Sequence, residues 1–197
     1  MLIRNKLTIF INSIMAGICI GIGCNIYLSC DNKYIGAALF SVGLISILTF
    51  GFNLYTGKVG YIVANGYKFT INVLIILLGN IIGCIIFGTL FPSDLAREIC
   101  NIKLSADLMS TMYKATMCGM LMFIAVDSYK ANNNFLLTFL CIPTFILSGY
   151  EHSIANIVYF AMGRVYSLQT ICFIAIVILG NAIGGMIIPF CKKYITN

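Results

Sequence analysis

The sequence predicts an all-α integral membrane protein with six transmembrane helices. Of its 197 residues, 60% are hydrophobic and only 9% are charged, whereas soluble domains are about 45–50% apolar and about one-quarter charged. This composition argues against a soluble globular enzyme, a nucleic-acid-binding protein and a disordered chain. A transmembrane helix needs about 20 apolar residues, so the chain has room for six spans with short loops and for no separate soluble domain.

Six apolar runs give the predicted spans. They cover residues 7–28, 34–67 with an interruption, 70–91, 108–126, 135–162 with an interruption, and 168–190. Between the third and fourth runs, residues 93–104 follow Pro92 and carry apolar side chains at helical spacing. That pattern predicts a short interfacial helix lying along the membrane surface. We therefore expect residues 1–197 to form a single transmembrane domain.

The distribution of basic residues predicts the orientation in the membrane. With the N-terminus inside, the cytoplasmic segments hold Arg4, Lys6, Lys68, Lys130, Lys192 and Lys193, and the outer segments hold Lys33, Arg97, Lys103 and Arg164. Cytoplasmic loops of membrane proteins carry the excess of Lys and Arg. We therefore expect a multi-pass protein of the cell (plasma or inner) membrane with both termini in the cytoplasm.

The nine cysteines do not predict a metal or cofactor site. They are scattered, most lie in apolar runs, and none form a Cys-x-x-Cys pair. Zinc sites use closer and more regular spacings. We interpret the cysteines as small buried side chains and expect neither a metal nor a cofactor.

A repeated segment indicates two copies of a three-span unit. Leu-Gly-Asn-Ile-Ile-Gly at residues 78–83 recurs as Leu-Gly-Asn-Ala-Ile-Gly at residues 179–184. Because each copy has an odd number of spans, the second enters the membrane from the opposite side, which is an inverted-topology repeat. The first repeat covers about residues 7–91 and the second about 108–190. Glycines at this spacing also let helices approach closely.

The middle span of each half is interrupted by glycine and polar residues. The interruptions are Gly-Phe-Asn-Leu-Tyr-Thr-Gly-Lys at 51–58 and Ser-Gly-Tyr-Glu-His-Ser-Ile-Ala-Asn at 148–156. Non-helical backbone at membrane depth is tolerated only where protein buries it or where it lines a wet cavity. Paired interruptions therefore predict broken second and fifth helices around a central pathway. Half-helix N-termini directed at the membrane centre would favour an anion there.

At these segments the sequence resembles the formate/nitrite transporter family. Residues 148–156 resemble the signature of that family's broken fifth helix, residues 54–57 its broken second helix, and the two Gly-Asn segments its third and sixth spans. The resemblance covers essentially the whole chain. It implies an aquaporin-like protomer, a homopentamer with one pore per protomer, and a channel or transporter for small monovalent weak-acid anions such as formate, nitrite or hydrosulfide.

The resemblance also implies the site residues. His152 matches the central pore histidine, Thr56 matches the threonine opposite it, and Lys103 matches a lysine that draws anions into the outer vestibule. The other expected pore residues are Leu54, Tyr55, Lys58, Glu151 and Asn156, and the expected apolar constrictions are Phe40, Leu44 and Phe145. This chain departs from the family at Lys58, where a small polar residue or asparagine is usual, and at Gly119, where asparagine is frequent.

The expected mechanism links anion movement to protons. Basic residues concentrate the anion, half-helix dipoles hold it, and a proton from water or from His152 lets it cross the apolar constrictions as the neutral acid. For Glu151 the alternative is a structural role, in which its carboxylate accepts amides of the broken loop. Two other functions remain open: an aquaporin-like channel for small neutral solutes, although Asn-Pro-Ala pairs are absent, and a membrane enzyme. We predict no enzyme, because Glu151 and His152 lack a positioned nucleophile.

Overall fold

The structure, a computed structural model, describes residues 2–195 and is built from α-helices, as predicted. A 3-10 turn, Val59–Tyr61, joins α3 to α4. The ten helices are α1 (Leu2–Ser29), α2 (Lys33–Thr49), α3 (Tyr55–Lys58), α4 (Ile62–Asn65), α5 (Tyr67–Leu90), α6 (Asp94–Leu104), α7 (Leu108–Asn132), α8 (Leu136–Leu147), α9 (Ser153–Gly163) and α10 (Leu168–Ile195).

Helix length separates two groups among the apolar helices. Within residues 2–195, four helices, α1, α5, α7 and α10, are long and apolar enough to cross a membrane. The second and fifth apolar runs are divided into shorter pieces: α2 followed by α3 and α4, and α8 followed by α9. The non-helical residues between the pieces, 50–54 and 148–152, overlap the two interruptions noted in the sequence.

Two pairs of long helices pack closely through glycine. In the first pair, α1 and α5, Gly17 lies against Gly83 and Gly21 against Phe87. In the second pair, α7 and α10, Gly180 lies against Ala115 and Gly184 against the backbone at Thr116. In each pair, contacts further along one helix fall further along its partner. The two helices of each pair are therefore parallel. Small residues allow this close approach of backbones.

The helical pieces that follow each break pack against the opposite half of the chain. α9, from the second half, lies on α5 and α1, where Gly88 contacts Ala161. α3 and the turn after it, from the first half, lie against α7 and α10, where Gly60 contacts Gly185. The two halves are therefore interlocked, and the last residues of the breaks, Leu54 in the first and Glu151 and His152 in the second, are buried.

Candidate functional site

Both breaks begin with the same helix ending. α2 and α8 end before Gly51 and Gly149, whose φ angles are +69° and +65°. After Gly51, the Phe52 amide donates to the Ile47 carbonyl at 2.9 Å, and after Gly149 the Tyr150 amide donates to Phe145 at 2.9 Å. This is the Schellman ending, which requires a left-handed residue and so favours glycine. It turns the chain sharply at both breaks.

Asn80 of α5 fixes the first break. Its side-chain oxygen accepts the Tyr55 amide at 2.8 Å, and its amide nitrogen donates to the Asn53 carbonyl at 2.9 Å and to the Ser13 carbonyl at 2.7 Å. Asn80 is fully buried. A single side chain therefore satisfies backbone groups on both sides of Leu54, where helical hydrogen bonding is lost.

Asn181 of α10 fixes the second break in the same way. Its oxygen accepts the Ser153 amide, and its nitrogen donates to the carbonyls of Glu151 and Ala115, each at 2.8 Å. Asn181 is also fully buried. The asparagines of the two Gly-Asn segments thus hold the two breaks, so the recurrence of asparagine in the repeat has a direct structural cause.

His152 and Thr56 meet where the two breaks approach each other. The Nδ1 atom of His152 accepts the Ala155 amide at 3.1 Å and caps α9. The neutral ring therefore carries its proton on Nε2, which lies 2.9 Å from Thr56 Oγ1 and donates to it. Both side chains are buried. The Thr56 hydroxyl keeps its own proton for another acceptor.

A cavity of about 180 Å³, here named the Lys103 cavity, lies on one side of this contact. The predicted site residues that line it are Phe40, Lys103, Phe145, His152 and Asn156. Phe145 stacks on the His152 ring with centroids 5.5 Å apart and meets Phe40 edge-on at 5.9 Å. Phe145 thus covers one face of the imidazole on this side, and Phe40 packs against Phe145.

A second cavity of about 110 Å³, here named the Lys58 cavity, lies on the other side. Leu44, Leu54 and Lys58 line it, together with Lys130 from the end of α7. Leu44 and Leu54 are almost completely buried. Thr56 lies in the chain between two residues of this wall, Leu54 and Gly57, and bonds to His152 in the wall of the other cavity.

Glu151 binds two side chains. Its Oε2 accepts from Lys103 Nζ at 2.6 Å and from Asn156 Nδ2 at 2.7 Å. The alternative structural role for Glu151 expected backbone amides as its donors; the structure supplies an ammonium and a side-chain amide. Since only 7% of the Glu151 side chain and 17% of the Lys103 side chain are exposed, the pair joins α6 to the second break.

Tyr55 points away from both cavities. Its hydroxyl donates to the Ile178 carbonyl of α10 at 3.1 Å, and the residue lines neither cavity.

The N-terminus of α9, which the sequence predicts to point at the membrane centre, has two of its backbone amides bound within the protein. The Ser153 amide donates to Asn181, and the Ala155 amide donates to His152. Among the described residues, no group of three His, Cys, Asp or Glu side chains could hold a metal ion.

Comparison with known proteins decides the family. A sequence model described as formate/nitrite transporter matches residues 2–195. The chain belongs to the formate/nitrite transporter family. Nitrite transporter NirC of Escherichia coli K12 is 26% identical over 93% of this chain and 81% of its own length, and NirC of Salmonella typhimurium has the same identity and coverage.

Solved structures share the fold. A protein described as an "FNT family ion channel" matches with a TM-score of 0.88 and 23% identity, over 98% of this chain and 92% of its own. A "pentameric formate channel with formate bound" matches with a TM-score of 0.79 and 23% identity, over 98% of both chains. This formate/nitrite transporter family member is accordingly an integral membrane protein with the fold of those channels.

Sequence reasoning missed the role of three residues in this family member. In the sequence, Asn80 and Asn181 indicate only a repeat whose glycines allow close helix packing, although a buried asparagine in a membrane span is itself a signal of backbone hydrogen bonding. For Lys130 the sequence predicts only a cytoplasmic segment, because nothing in the sequence indicates that it shares a cavity with Lys58.

Proposed function

We propose that the chain is a pentameric channel or transporter for small monovalent weak-acid anions, with formate, nitrite and hydrosulfide as candidate substrates, and that anion movement is linked to protons. The observation that carries this proposal is the buried bond between Thr56 and His152, which joins the walls of the two cavities. The NirC relatives, named as nitrite transporters, and the pentameric structural neighbour with formate bound support it.

The apolar walls explain why a weak acid suits this pathway. Phe40 and Phe145 border the Lys103 cavity, and Leu44 and Leu54 border the Lys58 cavity. An ion that leaves water for such surroundings pays a large desolvation cost, and a proton removes that cost by removing the charge. Formate, nitrite and hydrosulfide all have neutral protonated forms, so each can cross the narrow region without carrying charge through it.

The hydrogen bonds of His152 define its proposed role as a neutral donor. If Nε2 gave up its proton through Thr56, the ring would become an anion unless Nδ1 had first been protonated. A proton on Nδ1 would face the Ala155 N–H, which is itself a donor. We therefore assign to His152 the task of holding Thr56 so that the threonine hydroxyl donates to the passing anion, and assign the transferred proton to water in the cavities.

Flux measurements with purified protein in lipid vesicles test the transport function. We expect entry of at least one of formate, nitrite and hydrosulfide, faster at about pH 5 than at about pH 8 because acid supplies the neutral form, with glycerol excluded. His152→Phe should lower this flux strongly. Rapid glycerol entry would favour the neutral-solute channel, and chemical conversion of a solute without flux would favour an enzyme.

The single histidine makes the neutral-donor role directly measurable. The chain has one histidine, so ¹⁵N-histidine labelling of a protein purified without a histidine tag reports on His152 alone. We expect the neutral ring with its proton on Nε2 between about pH 5 and pH 8, the range in which an unperturbed histidine changes charge. Appearance of the doubly protonated ring in this range would replace the donor role with proton exchange.

The same proposal extends to topology. We infer that the halves are inverted repeats forming one channel domain over residues 1–197, with six membrane crossings, α6 at the membrane surface and both termini in the cytoplasm. The matching bonds of Asn80 and Asn181 support the repeat. Protease cleavage of a C-terminal tag should occur only from the cytoplasmic side of sealed vesicles; cleavage from outside intact cells would reverse the orientation.

A further inference from the structure

The two cavities differ in how their lysines are neutralised. In the Lys103 cavity, the ammonium of Lys103 lies 2.6 Å from the carboxylate of Glu151. In the Lys58 cavity, Lys58 is half-buried, and within residues 2–195 no carboxylate or hydrogen-bond acceptor contacts its ammonium. One cavity therefore has a compensated lysine, and the other has an uncompensated one.

A comparison of the breaks shows how this difference arises. Leu54 and His152 each precede the helix that follows a break, and Lys58 and Asn156 each lie four residues further along. Asn156 donates to Glu151, the residue directly before His152. The residue directly before Leu54 is the neutral Asn53. At the first break, therefore, Lys58 occupies the position of Asn156, and Asn53 occupies the position of Glu151. The first break has gained a positive charge and lacks the negative one.

A second lysine adds to the charge of the Lys58 cavity. Lys130, from the end of α7, lines the same cavity, and its positive charge and that of Lys58 repel each other. The Lys130 ammonium lies 3.6 Å from the centroid of the Tyr61 ring, an interaction that leaves its net charge in place. The ammonium groups of Lys58 and Lys130 thus lie around an apolar cavity and repel each other. A bound anion would offset this repulsion.

The nearby carboxylate is already bound by other groups. Asp127 accepts from the Tyr61 hydroxyl at 3.0 Å through Oδ1 and from Lys192 at 2.9 Å through Oδ2. Asp127 therefore fixes Tyr61, on which Lys130 rests, and ties the end of α10 to α7. Its charge is shared with Lys192, so it does not neutralise both lysines of the cavity.

We propose that the Lys58 cavity is a second binding site for a small monovalent anion, with Lys58 as its main charged group and Lys130 as its auxiliary. This inference rests on the proposed function, since the site would load the pore from the face on which the C-terminal helix ends. The cavity of about 110 Å³ has room for a small anion. Anion uptake from this face saturates at lower concentration than uptake from the Lys103 face.

Binding in detergent tests the site without requiring transport. Nitrite is titrated against the thermal stability of the full chain, with ionic strength held constant by the larger anion gluconate, because a ligand that binds the folded state stabilises it. Lys58→Gln should raise the half-maximal nitrite concentration about three- to tenfold, as expected for one charge about 6 Å from the anion. Lys130→Gln should shift it less, and Lys58→Arg should retain binding.

Lys68→Gln is the matched control. It removes the same charge from an exposed lysine at the start of α5 that lines neither cavity, and it should leave the titration unchanged. Equal effects of Lys58→Gln and Lys68→Gln, or no effect of either, would overturn the proposal and leave only a general influence of surface charge.

Flux measurements separate this proposal from the proposed function. In vesicles sorted by tag cleavage into the two orientations, Lys58→Gln should raise the half-saturating nitrite concentration from the Lys58 face and leave it unchanged from the Lys103 face. Equal shifts from both faces, or a change in maximal rate alone, would contradict a site in this cavity. Nitrite binding that depends on Lys58, in a wild-type protein without flux of any tested anion, would retain the site and refute the transport function.

Discussion

Replacing Asn181 with leucine tests whether one buried amide holds the second break. Leucine has a similar size but neither donates nor accepts hydrogen bonds. The substitution leaves the Ser153 N–H and the Glu151 carbonyl without their bonds to Asn181. The Ala115 carbonyl lies inside α7 and keeps its helical hydrogen bond. Two buried backbone groups therefore lose their partners.

The expected loss of stability follows from that count. A buried unsatisfied group costs about 1–3 kcal/mol, so two groups cost about 2–6 kcal/mol. Hydrogen bonds measured within membrane proteins lie at about 0.6 kcal/mol on average and 1.7 kcal/mol at most, which favours the lower end. We expect Asn181→Leu to lower the free energy of unfolding by about 2–3 kcal/mol and, because His152 lies between the two released groups, to lower anion flux.

Titration with a denaturing detergent, followed by circular dichroism, measures this free energy. Asn80→Leu should cost a similar amount, because Tyr55 and Asn53 lose equivalent bonds. Asn101→Leu, at an exposed position of α6, provides the control. If Asn181→Leu were as stable as the Asn101→Leu variant, within about 0.5 kcal/mol, the second break would be held by packing and the hydrogen-bond argument would be wrong.

Three further substitutions have defined outcomes. Thr56→Val removes the acceptor of the His152 Nε2 proton and should lower initial nitrite flux at least about tenfold. Thr56→Ser keeps a hydroxyl and should retain the flux. Equal flux in Thr56→Val and the wild-type protein would exclude the hydroxyl from the pathway. Glu151→Gln weakens a charged hydrogen bond to Lys103 and should cost about 1.5–3 kcal/mol in detergent unfolding. Gly119→Ala places a methyl group against the backbone of Asn181 and should cost about 1–3 kcal/mol; an unchanged unfolding midpoint would contradict either estimate.

The sequence alone determined the class of fold, because hydrophobic composition and the length of apolar runs depend only on local residues. It also indicated both interruptions, since glycine and polar residues within an apolar run conflict with a continuous membrane helix. The resemblance predicts that His152 and Thr56 lie opposite each other in a pore. Their side chains lie 2.9 Å apart, and their role in a pore stays a prediction.

Only the tertiary structure decided how these residues are connected. Glu151 and Lys103 are 48 positions apart and Tyr55 contacts a carbonyl 123 positions away, so neither partner is visible in the local sequence. The direction of the Tyr55 side chain depends on α10, and the tautomer of His152 depends on the Ala155 amide at the start of α9.

The charge difference between the cavities shows the same division. The sequence identifies Lys58 as a departure from the family pattern. The effect of a lysine in a membrane depends on its partners, however. A carboxylate at 2.6 Å neutralises Lys103, whereas no carboxylate contacts Lys58 in the described part of the chain. Pairing is a property of distance in space. Local sequence determines which segments are helical and apolar, whereas the packing of helices from both halves determines which charges and amides meet.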